Sequence, residues 1–233
     1  LGDVYKRQLK LDPGCSDQEF ESRVDDLYDY VTDVKSNLIK DGLHILGHPP
    51  EGELLVEAVY SLTRLDNGGV PSLRGSISSA LGFDILDLQQ HPSERLIDGR
   101  LKGNVLQDIE DRDFALITGM AERGFRKVAC MDLADSEYPD PSGHIDTSIT
   151  FICDELVPNL LAIRREMDSI MAALRGEFIS PGPAGCPTRG RAQLLPTGRN
   201  FYSIDPDSVP WNSSWDICLL YTSPSPRDKR QSR

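Results

Sequence analysis

The sequence has little that would suit a membrane protein or a nucleic-acid-binding protein. No stretch approaches the roughly 20 consecutive apolar residues that a membrane-spanning helix needs. Basic residues are few, because 25 Lys and Arg stand against 37 Asp and Glu, which gives a net charge of -12. Since so acidic a surface repels phosphate backbones, nucleic-acid binding is disfavoured as the main activity.

Cysteine motifs and nucleotide-binding motifs are also missing. The five cysteines lie far apart, and none belongs to a CxxC or a similar spacing of metal ligands. This distribution is typical of reduced, structural thiols and favours a cytoplasmic location. The chain has no GxxxxGK[ST] phosphate loop, so ATP is not bound here by that device.

The two ends of the chain are related at the level of DNA. Residues 2–8 read GDVYKRQ and residues 218–223 read CLLYTS, and DNA strands that encode them can be reverse complements. Such an inverted repeat resembles the transposon end used in sequencing libraries, and the alternative is a natural basic tail. We therefore interpret residues 1–8 and 218–233 as translated adapter, and residues 9–217 as an internal piece of a larger protein.

The clearest periodic pattern predicts a helix near the beginning of the chain. Ser16 and Glu19 form a capping box. Apolar residues then recur at spacings of three and four: Phe20, Val24, Leu27, Val31, Val34 and Leu38. The helix should end near Gly42, which can adopt the left-handed conformation of a C-terminal cap.

Four further helical stretches are predicted, at residues 51–65, 71–82, 93–124 and 148–174. Asp84 should cap a short helix between the second and the third. Pro158 should kink or divide the last stretch, and Gly176 should end it. Residues 134–147 are rich in turn-forming residues and are predicted to be a surface loop.

A segment dense in Gly and Pro follows, and it has no helical period. Its apolar residues are more numerous than a solvated linker needs, so we expect ordered irregular structure with one or two short strands packed on the helices. The predicted fold class is therefore mainly α with minor β (α+β). The predicted organisation is a mostly helical part at residues 9–176 and the Gly/Pro-rich segment at residues 177–217.

Two stretches carry a family resemblance. Residues 181–210 read PGPAGCPTRGRAQLLPTGRNFYSIDPDSVP, and residues 41–57 read DGLHILGHPPEGELLVE, continued by LTRLDNGGVPSLR. Both are similar to the CobN/magnesium-chelatase H-subunit family, whose usual patterns are close to PGPSGAPTRG and LPTGRNFYSVDP. The chain departs at Ala184, where Ser is usual, and at Cys186, where Ala is usual. The first change puts in doubt any role of a hydroxyl at that position.

The resemblance implies a very large subunit that binds a tetrapyrrole and holds the site of metal insertion. It further implies two smaller partner subunits of the AAA+ class, which hydrolyse ATP, so that ATP is not bound by this chain. The GRNFYS motif at residues 198–203 favours the cobalt branch, in which Co2+ is inserted into a hydrogenobyrinic-acid-type corrin precursor during cobalamin biosynthesis. The alternatives are insertion of Mg2+ into protoporphyrin IX and a non-catalytic tetrapyrrole-binding module.

Metal insertion needs a base that takes two pyrrole protons and ligands that deliver a partly dehydrated cation. Imidazole and carboxylate groups suit both tasks. His44 and His48 lie four residues apart in a Gly-Pro-Pro turn, and Glu51 follows closely, so these three are the candidate catalytic residues. The alternative is that the histidines are structural residues beside a tight turn. The sequence does not identify metal ligands.

The last motif supplies the candidate substrate-binding residues. They are Arg189, Arg191, Thr197, Arg199, Asn200 and Tyr202. The three arginines suit the carboxylate arms of a corrin precursor, because a guanidinium forms bidentate, charge-assisted hydrogen bonds. Alternatively, they pair with protein carboxylates such as Asp205 and Asp207. The tyrosine could stack on the macrocycle or serve only in packing.

Overall fold

The computed structural model describes residues 17–37, 45–138, 142–183 and 185–199, with the side chains of the first helix described over residues 20–32. The helices are α1 (Asp17–Asn37), α2 (Glu53–Thr63), α3 (Leu73–Ala80), α4 (Ile85–Gln90), α5 (Lys102–Glu122), α6 (Lys127–Glu137), α7 (His144–Phe151), α8 (Val157–Leu161) and α9 (Arg165–Leu174). A π-helical turn (Ile152–Leu156) separates α7 from α8, and 3-10 turns occur at Ala162–Arg164 and Ala192–Leu194.

The predominantly helical fold is confirmed, and the minor β content is not. Within the described residues there are no β-strands, only two isolated antiparallel bridges, Asn67 with Val70 and Arg95 with Leu101. The strands expected in the Gly/Pro-rich segment are not found in its described part. Four prolines there lack the N–H that a strand ladder requires, and three glycines have positive φ: Pro181, Pro183, Pro187, Pro196, Gly185, Gly190 and Gly198.

Helix α5 lies at the centre of the fold and contacts α2, α3, α4 and α6. It begins at Lys102, so the prediction of helix from residue 93 was wrong for the residues before it, which form turns around the Arg95 bridge. Its two internal glycines do not interrupt it. A Cβ at Gly119 would lie 2.8 Å from Cδ2 of Leu133 in α6, so this glycine permits a close helix crossing.

The predicted loop at residues 134–147 is much shorter in the structure. Helix α6 continues to Glu137 and α7 begins at His144. Ala134, Tyr138 and Ile145 are all 2% exposed or less, so burial of apolar groups outweighs the local preference of the sequence for turns.

The helical region from α7 to α9 is divided near Pro158, as predicted. This proline has no N–H to donate to the carbonyl four residues earlier, and the π-helical turn directly precedes α8. Gly176 ends α9 with φ +75°, and the N–H groups of Gly176 and Glu177 donate to Ala173 and Ala172 at 2.9 and 3.0 Å. Asp84 caps α4 by accepting from the N–H of Leu86 at 2.9 Å, again as predicted.

One hydrophobic core contains residues of α2, α3, α5, α6, α7 and α8. It also includes Ala192 and Leu195 of the Gly/Pro-rich segment. The packing of that segment on the helices is therefore as expected. The described residues include no helix that is both long and apolar enough to cross a membrane.

A buried carboxyl group lies inside this helical body. Asp113 of α5 is 0% exposed, and neither of its oxygens has a hydrogen-bond partner among the described residues. Burial raises the pKa of Asp113 to about 8, although the positive charge of Arg74 opposes the shift, and Glu110 adds to it. The group is therefore neutral in the folded chain at moderate pH, whereas it ionises near pH 4 in the unfolded chain.

This difference predicts a pH-dependent stability. Between about pH 4 and pH 8 the folded state holds a proton that the unfolded state has lost, so the contribution of Asp113 to stability falls as pH rises, by up to about 1.4 kcal/mol per pH unit. Asp113→Asn should remove this part of the slope and stabilise the chain near pH 8. Urea denaturation across the range tests it, with Asp108→Asn on the exposed face of α5 as control. An unchanged slope in Asp113→Asn would refute the assignment.

Candidate functional site

The irregular segment that carries the family motif is fixed to the helical body by Asn67. The side-chain Nδ2 of Asn67 donates to the carbonyls of Leu62 and Leu65 at 2.8 and 2.9 Å, while its Oδ1 accepts from the N–H of Ala192 at 2.9 Å. Its backbone pairs with Val70 through two hydrogen bonds of 2.9 Å. Because Asn67 is only 5% exposed, these bonds are shielded from water and hold the segment in one position.

A glycine makes a second close contact between the same two regions. Gly190 has φ +71°, and a Cβ at this position would lie 2.5 Å from the carbonyl oxygen of Asp66. A residue other than glycine would force the segment away from the loop that joins α2 to α3.

The end of the segment meets two other parts of the chain at Glu166, the second residue of α9. Glu166 is 2% exposed. One carboxylate oxygen accepts from the N–H of Gly47 at 2.9 Å, and the other accepts from the hydroxyl of Thr197. Gly47 belongs to the DGLHILGHPPEGE stretch and Thr197 to the LPTGRN stretch, so the two motifs meet at one buried side chain.

Glycine again permits the close approach. Gly198 has φ +94°, and a Cβ there would lie 2.9 Å from Cα of Glu166. A Cβ at Gly47 would collide with the side chain of Met167. Both loops therefore pack directly on the first turn of α9.

A groove of about 480 Å³ opens beside this contact. Part of its lining comes from residues of α9 that recur at helical spacing. The rest comes from the residues just after α9 and from the loop that follows the Ala192–Leu194 turn. The lining residues are Arg165, Asp168, Ser169, Ala172, Phe178, Ile179, Pro196, Thr197 and Arg199. The groove thus combines two cations, one acid and two hydroxyls with an apolar side on which Phe178 is 88% exposed.

The structure separates the residues that the sequence grouped as substrate-binding. Thr197 and Arg199 line the groove, and Arg191 instead lies against Gly185. Arg189 is exposed. The pKa of the Arg64 guanidinium is lowered mainly by burial and by the charge of Arg74, and the nearby charge of Arg189 lowers it further. Asn200 and Tyr202 lie outside the described residues, as do Asp205 and Asp207.

Of the candidate catalytic residues, His48 and Glu51 are among the described residues, and neither lines the groove. His48 follows Gly47 directly, and its N–H donates to the carbonyl of Ile45 at 3.0 Å to close a turn. The side chains of His48 and Glu51 are both exposed, and His44 lies outside the described residues.

Sequence reasoning missed Glu166 and its neighbour Arg165. A signal was available for the glutamate, because Leu156, Leu160 and Ile163 precede it at spacings of four and three. A carboxylate at the next position of an apolar stripe indicates a buried charge with partners. The arginine carries no comparable signal, because it follows Arg164 in a run of charged residues at the start of the helix.

The site contains no evident cluster of metal ligands. Among the residues that the structure describes, no three His, Cys, Asp or Glu side chains are grouped so as to hold a metal ion. Cys130, Cys153 and Cys186 are free thiols.

Comparison with known protein families agrees with the motifs. The model of the CobN/Magnesium Chelatase family matches residues 4–220. The chain belongs to this family. The chain is also similar to a solved structure, the catalytic subunit of cobaltochelatase from Mycobacterium tuberculosis. The TM-score is 0.71 and the sequence identity is 27%, and the match covers 99% of this chain and 18% of that one.

Curated members of the family are similar to the chain over most of its length. The aerobic cobaltochelatase subunits CobN of a Sinorhizobium species and of Pseudomonas aeruginosa are each 32% identical, over 89% and 81% of this chain. A chloroplastic magnesium-chelatase subunit ChlH of rice is 24% identical over 79%. The chain spans only 15% to 18% of the length of these relatives.

The packing of Gly198 on Glu166 predicts a specific loss of stability. Gly198→Ala should be more destabilising than Gly99→Ala by about 1–3 kcal/mol, because both replace a glycine of positive φ but only the first forces a methyl group against α9. Gly99 is the matched control, with φ +86° and no atom within 4 Å of its Cβ position. Free energies of unfolding from urea titrations provide the comparison, and equal losses would contradict this packing.

Proposed function

We propose that this chain is part of the tetrapyrrole-binding subunit of an ATP-dependent cobaltochelatase, which inserts Co2+ into a hydrogenobyrinic-acid-type corrin precursor in cobalamin biosynthesis. The observation that carries the proposal is the groove between α9 and the Thr197–Arg199 loop. The family motif supplies one wall of this groove, and its mixture of guanidinium and apolar groups suits a macrocycle with acidic arms.

The two arginines would bind the acidic arms of the substrate. Arg165 on α9 and Arg199 on the loop both line the groove, so we expect them to engage two carboxylates of one macrocycle. A guanidinium binds a carboxylate through two parallel hydrogen bonds, which gives orientation as well as affinity. The exposed ring of Phe178 and the side chain of Ile179 would contact the apolar face of the macrocycle.

Proton removal would fall to the residues beside Gly47. Insertion of a divalent cation releases two pyrrole protons, and His48 and Glu51 have exposed side chains next to the loop that packs on Glu166. We assign the role of base to this group, together with His44. Thr197, Asn200 and Tyr202 complete the substrate side of the proposed site, with Arg189 and Arg191 at its periphery.

ATP hydrolysis is assigned to two smaller partner subunits of the AAA+ class. The sequence contains no phosphate loop, which fits a chain that receives the energy of hydrolysis through contact with its partners. Cobalt is favoured over magnesium because the cobaltochelatase relatives are 32% identical, whereas the rice magnesium-chelatase subunit is 24% identical. Magnesium insertion into protoporphyrin IX is the second candidate.

Titration of the full-length subunit tests the proposal. Absorbance titrations with a hydrogenobyrinic-acid-type corrin precursor and with protoporphyrin IX should show tighter binding of the corrin precursor. Co2+ insertion should require both ATPase partners and ATP. Preferential binding of protoporphyrin with Mg2+ insertion would assign the chain to the magnesium branch. Binding without insertion of either metal, even with the partners present, would indicate a non-catalytic module.

Replacement of the loop arginine tests the carboxylate contact. Arg199→Lys, made in the full-length subunit, should weaken tetrapyrrole binding by on the order of 1–3 kcal/mol, because lysine keeps the charge but loses the planar two-point contact. The melting temperature should change little, because Arg199 is exposed. Arg100→Lys, at an exposed ion pair with Asp98, is the control. Earlier unfolding with normal binding would show that Arg199 is a structural residue.

A further inference from the structure

We propose that Glu166 is the positioning residue of the site, which fixes the His48 loop and the Arg199 loop in one geometry through its two carboxylate oxygens. This inference rests on the proposed function, because it assigns to Glu166 the alignment of the groups that would bind the tetrapyrrole and accept its protons. The residue does not line the groove itself.

Burial of the Glu166 carboxylate has a cost in free energy. A carboxylate that is 2% exposed is destabilising unless hydrogen bonds replace the water it has lost. Two of those bonds come from Gly47 and Thr197, which lie 119 and 31 residues away in the sequence. Moving either loop away from α9 leaves an oxygen without its donor in a buried environment, so each loop is held where it can donate.

Both loops also pack closely on the first turn of α9. Gly198 lies against Cα of Glu166, and Gly47 lies against the side chain of Met167, so neither loop has room for a larger residue at the contact. Hydrogen bonds and packing together specify both the distance and the direction of each loop. Such joint constraint distinguishes a positioning contact from an adventitious hydrogen bond.

The residues that flank these contacts in the sequence are the candidate functional residues. Glu166 follows Arg165, Thr197 precedes Gly198 and Arg199, and Gly47 precedes His48. One buried carboxylate therefore sets the relative positions of both groove arginines and of the candidate base. A small displacement at Glu166 would be felt at all three groups, although none of them is bonded to it in the contacts described above.

The test uses single and double variants of the full-length subunit. Glu166→Asp keeps the charge but shortens the side chain by one methylene, so the carboxylate cannot reach both donors. Thr197→Val removes one donor without changing the size of the side chain much. Each variant should raise the tetrapyrrole Kd about tenfold, the scale of one hydrogen bond to a charged group. The double variant should be no worse than about tenfold, since both changes break the same link.

Two controls separate positioning from a general loss of stability. Thr197→Ser restores a hydroxyl and should bind more tightly than Thr197→Val. Ile117→Ala, in the core of α5, should lower the melting temperature by at least as much as Glu166→Asp while leaving the Kd unchanged well below its melting temperature. If the Kd of Ile117→Ala rises as much as that of Glu166→Asp, the positioning role is wrong.

Hydrogen exchange gives a readout that does not depend on the tetrapyrrole. Thr197→Val should increase deuterium uptake in a peptide that covers residues 45–50, because Glu166 loses the donor that holds it against Gly47. Unchanged uptake there, or Kd effects that multiply to about a hundredfold in the double variant, would overturn the inference. If uptake rises as expected but the wild-type subunit binds no tetrapyrrole, Glu166 links the loops and the proposed function is what fails.

Discussion

The geometry of the candidate site depends on the buried carboxylate of Glu166. Its two oxygens receive donors from loops that the chain places 119 and 31 residues away, and both loops pack on the same turn of α9. A charged group can do this where an apolar one cannot, because apolar contacts tolerate sliding whereas hydrogen bonds in a buried environment do not. The proposed consequence is that the groove beside α9 keeps its shape.

The Gly/Pro-rich segment shows how a chain without regular secondary structure can still be ordered. Its prolines and glycines exclude a strand ladder, so its backbone N–H groups bond to carbonyls within turns and, at Ala192, to the side chain of Asn67. Apolar anchors do the rest, since Ala192, Leu194 and Leu195 are buried against the helices. The prolines and glycines make the backbone of this segment irregular, and the buried apolar residues hold it on the helices. Together they place Arg199 at the groove.

Local rules predicted the helical part of the fold well. The cap at Asp84, the end of α9 at Gly176 and the division of the helix near Pro158 each follow from the chemistry of one residue, which is the same in any tertiary context. The short strands are not found in the described part of the Gly/Pro-rich segment, where prolines cannot donate to a strand ladder. The long loop at residues 134–147 was wrong, because the outcome there depended on burial of groups such as Tyr138 against distant helices. Of the predicted site, Thr197 and Arg199 lie at the groove. Arg165 was missed, because nothing in a run of charged helical residues indicates which side chain faces a loop that arrives much later in the chain.

Two buried acids illustrate why charge alone does not reveal a functional residue. Asp113 and Glu166 are both at least 98% shielded from solvent, and both interrupt apolar faces of helices. Asp113 has no hydrogen-bond partner among the described residues, so burial raises its pKa to about 8 and the neutral form is retained in the fold at moderate pH. Glu166 accepts hydrogen bonds from two loops, so the cost of its burial is lowest in the one arrangement of those loops that supplies both donors. The two acids differ in the hydrogen-bond donors that the rest of the chain supplies to each carboxyl group. Glu166 lies between two motifs of the family and therefore points to the site, whereas Asp113 does not.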